Sequence, residues 1–301
     1  MTARSSSLSL AGVFPPIPTP FGGDGQIDYE HLKSNVERWN REPLAGYVVG
    51  GSNGEYVSLT ADERVELVRK VRALLPEGRL LIAGSGMEST AATLDLTKRM
   101  AEAGAHVALI VNPNYYKRKL LGAALEKFYK EVADASPIPV MIYNVPANTG
   151  VDIPAQTIVN LARHPNIIGM KESGGDVAKI GYLVETTPKE FQVLAGSAGF
   201  FLGALAMGAV GGVMALANIA AGRLAQILES CKKGDLTGAR AIQLPLIAAN
   251  STVTSRFGVP GLKAALDLMT YYGGPVRPPL LPVSDDDRAA IRGVLSRANL
   301  L

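Results

Sequence analysis

An α/β barrel of eight βα units with a helical extension behind it is the fold this sequence predicts. Three observations carry the prediction. Short apolar segments rich in β-formers alternate with helical patterns, and such alternation implies a parallel sheet. The eight units fit within about 210 residues, which suits a closed (β/α)8 TIM barrel better than an open doubly wound sheet. No Gly-x-Gly-x-x-Gly follows the first strand, as a dinucleotide-binding sheet would require.

Each element has its own signal. Residues 10–21 are apolar and carry four prolines, and Gly22-Gly23-Asp24-Gly25 then turns the chain. Asp28 opens a helix with Leu32, Val36 and Trp39 on one face. Residues 45–50 read as a buried strand. Thr60 with Glu63 forms a capping box for a helix over 61–75. Further strands are expected at 79–84, 107–112, 138–144, 167–171, 191–196 and 211–216. The helices between them are expected at 89–103, 121–135, 154–162, 176–186 and 200–207. Beyond Gly222 the strand signal stops. Residues 223–233, 236–249, 259–271 and 284–298 read as helices, and the proline-rich stretch 273–283 as a rigid connector. The expected division is a flexible tail over 1–10, the barrel over 11–233 and a C-terminal helical domain over 234–301.

Composition narrows the function. The chain has 301 residues, 30 basic and 27 acidic, and no basic run stands out. Nucleic acid and membrane surfaces are therefore poor partners. No apolar run is long and uninterrupted enough for a transmembrane helix; the nearest, 200–221, is broken by glycines that suit barrel packing. The one cysteine, Cys231, excludes an internal disulfide and fits a reducing compartment, so a cytoplasmic location is expected. His31, His106 and His164 lie far apart, and none has metal-ligand spacing with Asp, Glu or Cys.

In a barrel the active site lies at the carboxyl ends of the strands. Strand 6 ends there on Lys171, followed at once by small turn-forming residues. A strand covered on both faces has no place for an ammonium along its length, but a lysine at its end can point into the barrel mouth as a candidate amine nucleophile. Strand 2 runs into Gly51-Ser52-Asn53-Gly54-Glu55, a turn whose amides suit a carboxylate. Strand 4 leads to Tyr115 and Tyr116, and strand 5 to Tyr143-Asn144-Val145-Pro146-Ala147-Asn148-Thr149-Gly150. A lysine, a tyrosine on the adjacent strand and an amide-rich turn fit imine chemistry: the amine condenses with a keto carbon, the phenol moves protons and the turn holds a carboxylate. Another class stays open, a phosphate-binding or metabolite-sensing barrel that would use the glycines at 196–199 and 211–212.

At these residues the chain resembles the pyruvate-dependent class I aldolases of the dihydrodipicolinate synthase and N-acetylneuraminate lyase superfamily, over nearly its whole length. Gly-Ser-Asn-Gly-Glu (51–55) is similar to the family's carboxylate-binding turn, Tyr-Asn-Val-Pro-x-x-Thr-Gly (143–150) to its tyrosine motif, and Gly-Met-Lys-Glu-Ser (169–173) to its Schiff-base lysine motif. Within the family, Val-Pro-Ala-Asn-Thr-Gly, Lys-Glu-Ser-Gly-Gly-Asp-Val (171–177) and Leu-Ala-Gly-Ser-Ala-Gly-Phe (194–200) look most like 4-hydroxy-2-oxoglutarate aldolase of the mitochondrial type. The lysine-biosynthesis synthases usually carry Thr-Thr where Ser52-Asn53 stand. They also carry, in place of Asn148, an arginine that grips the carboxylate of aspartate semialdehyde.

The resemblance implies reversible cleavage of 4-hydroxy-2-oxoglutarate to pyruvate and glyoxylate, with no metal or organic cofactor. Lys171 would form the imine, Tyr143 would move the proton, and Tyr116 would complete the relay in a neighbouring subunit of a homotetramer, a dimer of dimers. Ser52 and Asn53 are the expected carboxylate contacts, and Ser173 and Asn148 the contacts for the glyoxylate end. Gly196 and Met214 are further expected substrate contacts. The mitochondrial likeness also keeps a matrix location open. The synthase and other 2-keto acid aldolases or dehydratases of the family are the alternatives.

Overall fold

A computed structural model describes residues 8–301, in which eight parallel strands curl into a barrel ringed by helices. Most of the expected tail, residues 1–7, lies outside the described residues. Hydrogen bonds run from strand to strand in the order β1-β8-β7-β6-β5-β4-β3-β2. The remaining seam, between β1 and β2, is closed by the amides of Ala45, Ile17 and Val48, which donate to Val13, Val48 and Pro15 carbonyls at 3.0 Å.

The elements follow the predicted order. Strand β1 (Gly12–Phe14) precedes α1 (Tyr29–Trp39), which is capped by the Asp28 carboxylate. Then come β2 (Gly46–Val49), α2 (Ala61–Leu74) with the Thr60–Glu63 capping box in place, and β3 (Leu80–Gly84). Next are α3 (Thr90–Glu102), β4 (Val107–Val111), α4 (Gly122–Ala135) and β5 (Val140–Asn144). A single turn, α5 (Pro146–Thr149), leads to α6 (Ala155–Leu161) and β6 (Ile167–Glu172). The barrel finishes with α7 (Val177–Thr186), β7 (Gln192–Ala195), α8 (Phe201–Ala206), β8 (Gly211–Val213) and α9 (Ala217–Lys232). Behind it lie α10 (Leu236–Ser251), which continues as a π-helical turn over Thr252–Arg256, then α11 (Gly258–Leu268) and α12 (Asp285–Arg297).

Several boundaries depart from the sequence reading: β8 stops at Val213 rather than 216, and α11 at Leu268 rather than 271. The helix expected from residue 223 starts at Ala217, and Ala220 within it has non-helical φ/ψ. Gly222, which ended the strand pattern, sits inside that helix rather than before it. The helix expected to end at residue 249 runs on into the π turn. Its Thr254 and Thr252 hydroxyls donate back to Asn250 and Ala248 carbonyls, a pattern that bends helices.

The core has two shells, set by the alternation of strand side chains. Phe14, Val48, Ile82, Leu109, Met141, Leu194 and Val213 fill the barrel interior. Val13, Tyr47, Leu81, Ile110, Ile142, Met170 and Val193 face the helices, where Trp39, Leu67, Leu125 and Leu224 meet them. Leu10, placed in the tail by the sequence reading, is fully buried with the interior set, and its amide donates to Gln192 Oε1 at 2.7 Å. It fits beneath β6 because Gly169 has no side chain: a Cβ there would lie 3.1 Å from Leu10 Cδ1 and 2.2 Å from the Gln192 carbonyl oxygen. Leu10 thus plugs the end of the barrel opposite Lys171. Leu10→Ala should cost about 2–5 kcal/mol, the usual range for a buried Leu→Ala change. Urea denaturation checks this: the midpoint should fall with an unchanged slope, and an unchanged midpoint would make the residue part of a dispensable tail.

Candidate active site

The carboxyl ends of β2, β5, β6 and β7 surround an open cleft of about 510 Å³, closed on one side by α10 and its π turn. The register of β5 against β6 places Tyr143 opposite Lys171. Both side chains point into the barrel mouth and are almost fully buried. Lys171 Nζ sits 4.0 Å from the centre of the Tyr143 ring. Ser52 Oγ, from the turn after β2, lies 3.4 Å from Tyr143 Oη. The three side chains therefore converge from strands that neighbour one another around the mouth, or from the turn facing them.

The next residue on each strand faces the other way. Asn144 and Glu172 lie outside the barrel wall, and both are fully buried. Asn144 Nδ2 donates to Glu172 Oε2 at 2.9 Å and to Asp152 Oδ1 at 2.7 Å, and Asn144 Oδ1 accepts from the Ile153 amide at 3.0 Å. Lys179 Nζ donates to Asp152 Oδ1 at 2.6 Å and lies 3.5 Å from Glu172 Oε2. The Glu172 charge is thus paired and hydrogen-bonded, as a buried charge must be. Because it ties Asn144 to Glu172, this network clamps the strand ends that carry Tyr143 and Lys171.

The electrostatics favour proton transfer at Tyr143. Burial opposes ionisation of its phenol. The neighbouring Lys171 ammonium, together with hydrogen bonds to Ser52 and Lys171, outweighs burial and holds the phenol below its ordinary value of 10.0. The buried Ser173 hydroxyl also lies toward this phenol and helps to hold it down, but it makes no well-aligned hydrogen bond in the protein, a state that suits a group available to a bound molecule. Gly196 gives it room, since a Cβ at 196 would fall 1.8 Å from Ser173 Oγ.

Seven of the nine expected residues line this cleft: Lys171, Tyr143, Ser52, Asn53, Ser173, Asn148 and Gly196. Two do not. Met214 is fully buried in the shell between barrel and helices, and its neighbour Ala215 takes the place on the cleft wall. The expectation of a substrate contact there is corrected, because alternation past β8 turns Met214 away. Tyr116 is 74% exposed and borders a separate groove with Glu88, Pro113 and α4. Within one chain it does not reach Lys171. The sequence reading missed Ser197, Asn250, Ser251, Thr254 and Ser255 as contacts; they line the cleft from the loop after β7, the end of α10 and the π turn. Ser197 lies in the 194–200 motif already noted, but it was not assigned a contact; the signal for the others was a Ser/Thr cluster over 251–255, just past the expected end of a helix. Among the described residues, no three His, Cys, Asp or Glu side chains gather as a metal cage.

Comparison with known proteins places this geometry. The profile of the dihydrodipicolinate synthetase family matches residues 9–298. The 4-hydroxy-tetrahydrodipicolinate synthase of Exiguobacterium sp. is 36% identical over 292 residues, which is 96% of this chain and 98% of that protein. The enzyme of the same name from Natronomonas pharaonis is 34% identical over 289 residues, 96% of this chain and 97% of its own. Among solved structures, dihydrodipicolinate synthase from Bacillus anthracis superposes with a TM-score of 0.92 at 30% identity, covering 96% of this chain and 98% of that one. The Acinetobacter baumannii enzyme, solved with pyruvate, gives 0.93 at 28% identity, covering 97% of this chain and 100% of that one.

The electrostatic reading can be tested by titration. Phenolate absorbance, with Tyr143→Phe to identify the signal, should show Tyr143 ionising below its ordinary value. Lys171→Met removes the ammonium and leaves burial dominant, so the same phenol should then ionise above that value. A midpoint that ignores the substitution would remove Lys171 as the cause.

Proposed function

The chain belongs to the dihydrodipicolinate synthetase family, whose members are class I aldolases and related synthases, and from that premise we propose that it cleaves 4-hydroxy-2-oxoglutarate reversibly to pyruvate and glyoxylate. The observation that carries the finer reading is the charge of the cleft. Among the described residues lining it, Lys171 is the only charged side chain, and Asn148 stands where a guanidinium would serve a distal carboxylate. A short glyoxylate end can be held by the neutral donors of Asn148 and Ser173. A longer substrate with a remote carboxylate finds no cation to neutralise it.

The chemistry follows from the arrangement. The Lys171 amine attacks the C2 carbonyl, and loss of water, with a proton given by the Tyr143 phenol, leaves a protonated imine beside the Tyr143 phenolate. Ser52 and Asn53 hold the C1 carboxylate, since the first amides of a helical turn have no partner within the turn. Tyr143 takes the proton from the C4 hydroxyl. The C3–C4 bond breaks, its electron pair moves into the imine as an enamine, and glyoxylate leaves. Protonation at C3 and hydrolysis then release pyruvate and free Lys171. Tyr116 has no role within one chain. In this reading it joins the proton relay of a neighbouring copy, in the tetramer that the family resemblance implies.

A second reading is favoured by the relatives just described, which are named 4-hydroxy-tetrahydrodipicolinate synthases. In that reading the same pyruvyl enamine condenses with aspartate semialdehyde. The two are separated by the ratio of their kcat/KM values on one preparation. The ratio should favour 4-hydroxy-2-oxoglutarate, by less than the ~10⁴-fold that polar sites can reach, because both substrates are anionic. A ratio favouring aspartate semialdehyde selects the synthase.

The shared chemistry has its own test. Borohydride with pyruvate should fix one pyruvyl group, mapped by mass to Lys171. Tyr143→Phe should lower turnover by about 10²–10⁴-fold, the usual contribution of a general acid–base group, while imine trapping persists. Near wild-type turnover in that variant would exclude Tyr143 from proton transfer.

A further inference from the structure

Glu55 closes the Gly-Ser-Asn-Gly-Glu turn, yet it takes no part in the chemistry above and does not line the cleft. Its burial needs another explanation. The residue is 2% exposed and sits in the left-handed region, with φ 57° and ψ 35°, where a residue with a Cβ is disfavoured. Its carboxylate points away from Lys171, toward the C-terminal extension. Glu55 Oε1 lies 2.6 Å from Lys263 Nζ on α11, and Lys263 is also 2% exposed. Glu55 Oε2 accepts from the Arg277 amide at 2.9 Å. Lys263 Nζ donates in addition to the Pro275 carbonyl at 2.7 Å, and the Arg277 guanidinium pairs with both oxygens of Glu63 at 2.8 and 3.0 Å. The other side of the turn is held by Thr19, whose hydroxyl donates to the Gly54 carbonyl at 2.7 Å.

A buried ion pair of this kind contributes little net stability compared with a well-packed apolar pair, so stability alone does not account for it. What it does supply is fixed geometry. Two points of the C-terminal extension, Lys263 and the Arg277 amide, meet on one carboxylate from far along the chain, and that carboxylate belongs to the residue that sets the exit of the Ser52–Asn53 turn.

We propose that Glu55 and Lys263 are positioning residues: their buried ion pair makes the C-terminal extension hold the Ser52–Asn53 turn in the geometry that receives a substrate carboxylate. The inference rests on the proposed role of that turn toward a 2-oxo acid. It goes beyond that role by giving the helices outside the barrel a part in carboxylate recognition, through two residues that touch no substrate.

The test compares two carbonyl compounds on Lys171. Pyruvate carries the carboxylate; acetone has the same three-carbon chain and keto carbon, with a methyl group in its place. Both are trapped with cyanoborohydride over a range of concentrations, and the label is mapped by mass. The variants are Glu55→Gln, Lys263→Met and the double variant, in which neither partner is left buried and charged alone. The expected result is a rise of at least about tenfold in the pyruvate concentration for half-maximal trapping, with the acetone curve unchanged. The double variant should keep that rise. Pyruvate and acetone curves that shift together would reduce the pair to general support of the site and overturn the inference, as would a double variant with wild-type pyruvate trapping. A double variant that does not fold overturns it too, by making the pair a requirement of the fold. If wild-type enzyme is labelled by pyruvate but not at Lys171, the Schiff-base reading itself fails, and this is seen before any variant is compared.

Discussion

The register between β5 and β6 is the constraint on which the site depends. Strand side chains alternate, so a slip of one strand past the other by one residue would turn either Tyr143 or Lys171 outward and bring its neighbour, Asn144 or Glu172, into the barrel mouth. The two strands are held against that slip by more than their backbone ladder. Asn144 and Glu172 bond to each other on the outer face, and Lys179 and Asp152 complete the set. A carboxylate buried behind the wall would be costly alone, but here each of its partners is also a link between elements. The structure therefore places Lys171 by fixing the residue beside it.

The barrel supports this arrangement from below and from behind. Phe14, Val48, Ile82 and Met141 fill the interior beneath the mouth, and Leu10 seals the far end under Gly169. The lysine therefore stands on a packed floor with only the mouth open. The helices beyond the barrel contribute the other wall. The end of α10 brings Ser251 to the cleft and its π turn brings Thr254 and Ser255, and a helix that widens locally is a common device where side chains must be re-aimed at a site. The recognition surface is thus built from neutral donors around one ammonium.

The sequence by itself determined the barrel and most of the side chains that gather at its mouth. Eight apolar segments alternating with amphipathic ones leave few other ways to bury so many strands, and local signals such as Asp28, Thr60 with Glu63, and Asp176 mark helix starts where the caps are found. Lys171, Tyr143, Ser52, Asn53, Asn148, Ser173 and Gly196 were legible because a parallel barrel gathers its strand ends at one face. Tertiary structure alone decided the rest. Met214 was misplaced because β8 is only three residues long, so the facing of the residue after it depends on how the chain leaves the sheet. The role of Leu10 depends on an empty place beneath Gly169, which is visible only once β6 is closed against β7. The partners of Glu55 lie more than 200 residues away, and the hydroxyls of the π turn enter the cleft only because α10 packs across the loop after β7. Periodicity and capping are local and can be read along the chain. Which distant charge neutralises a buried one is a property of packing, and no local pattern records it.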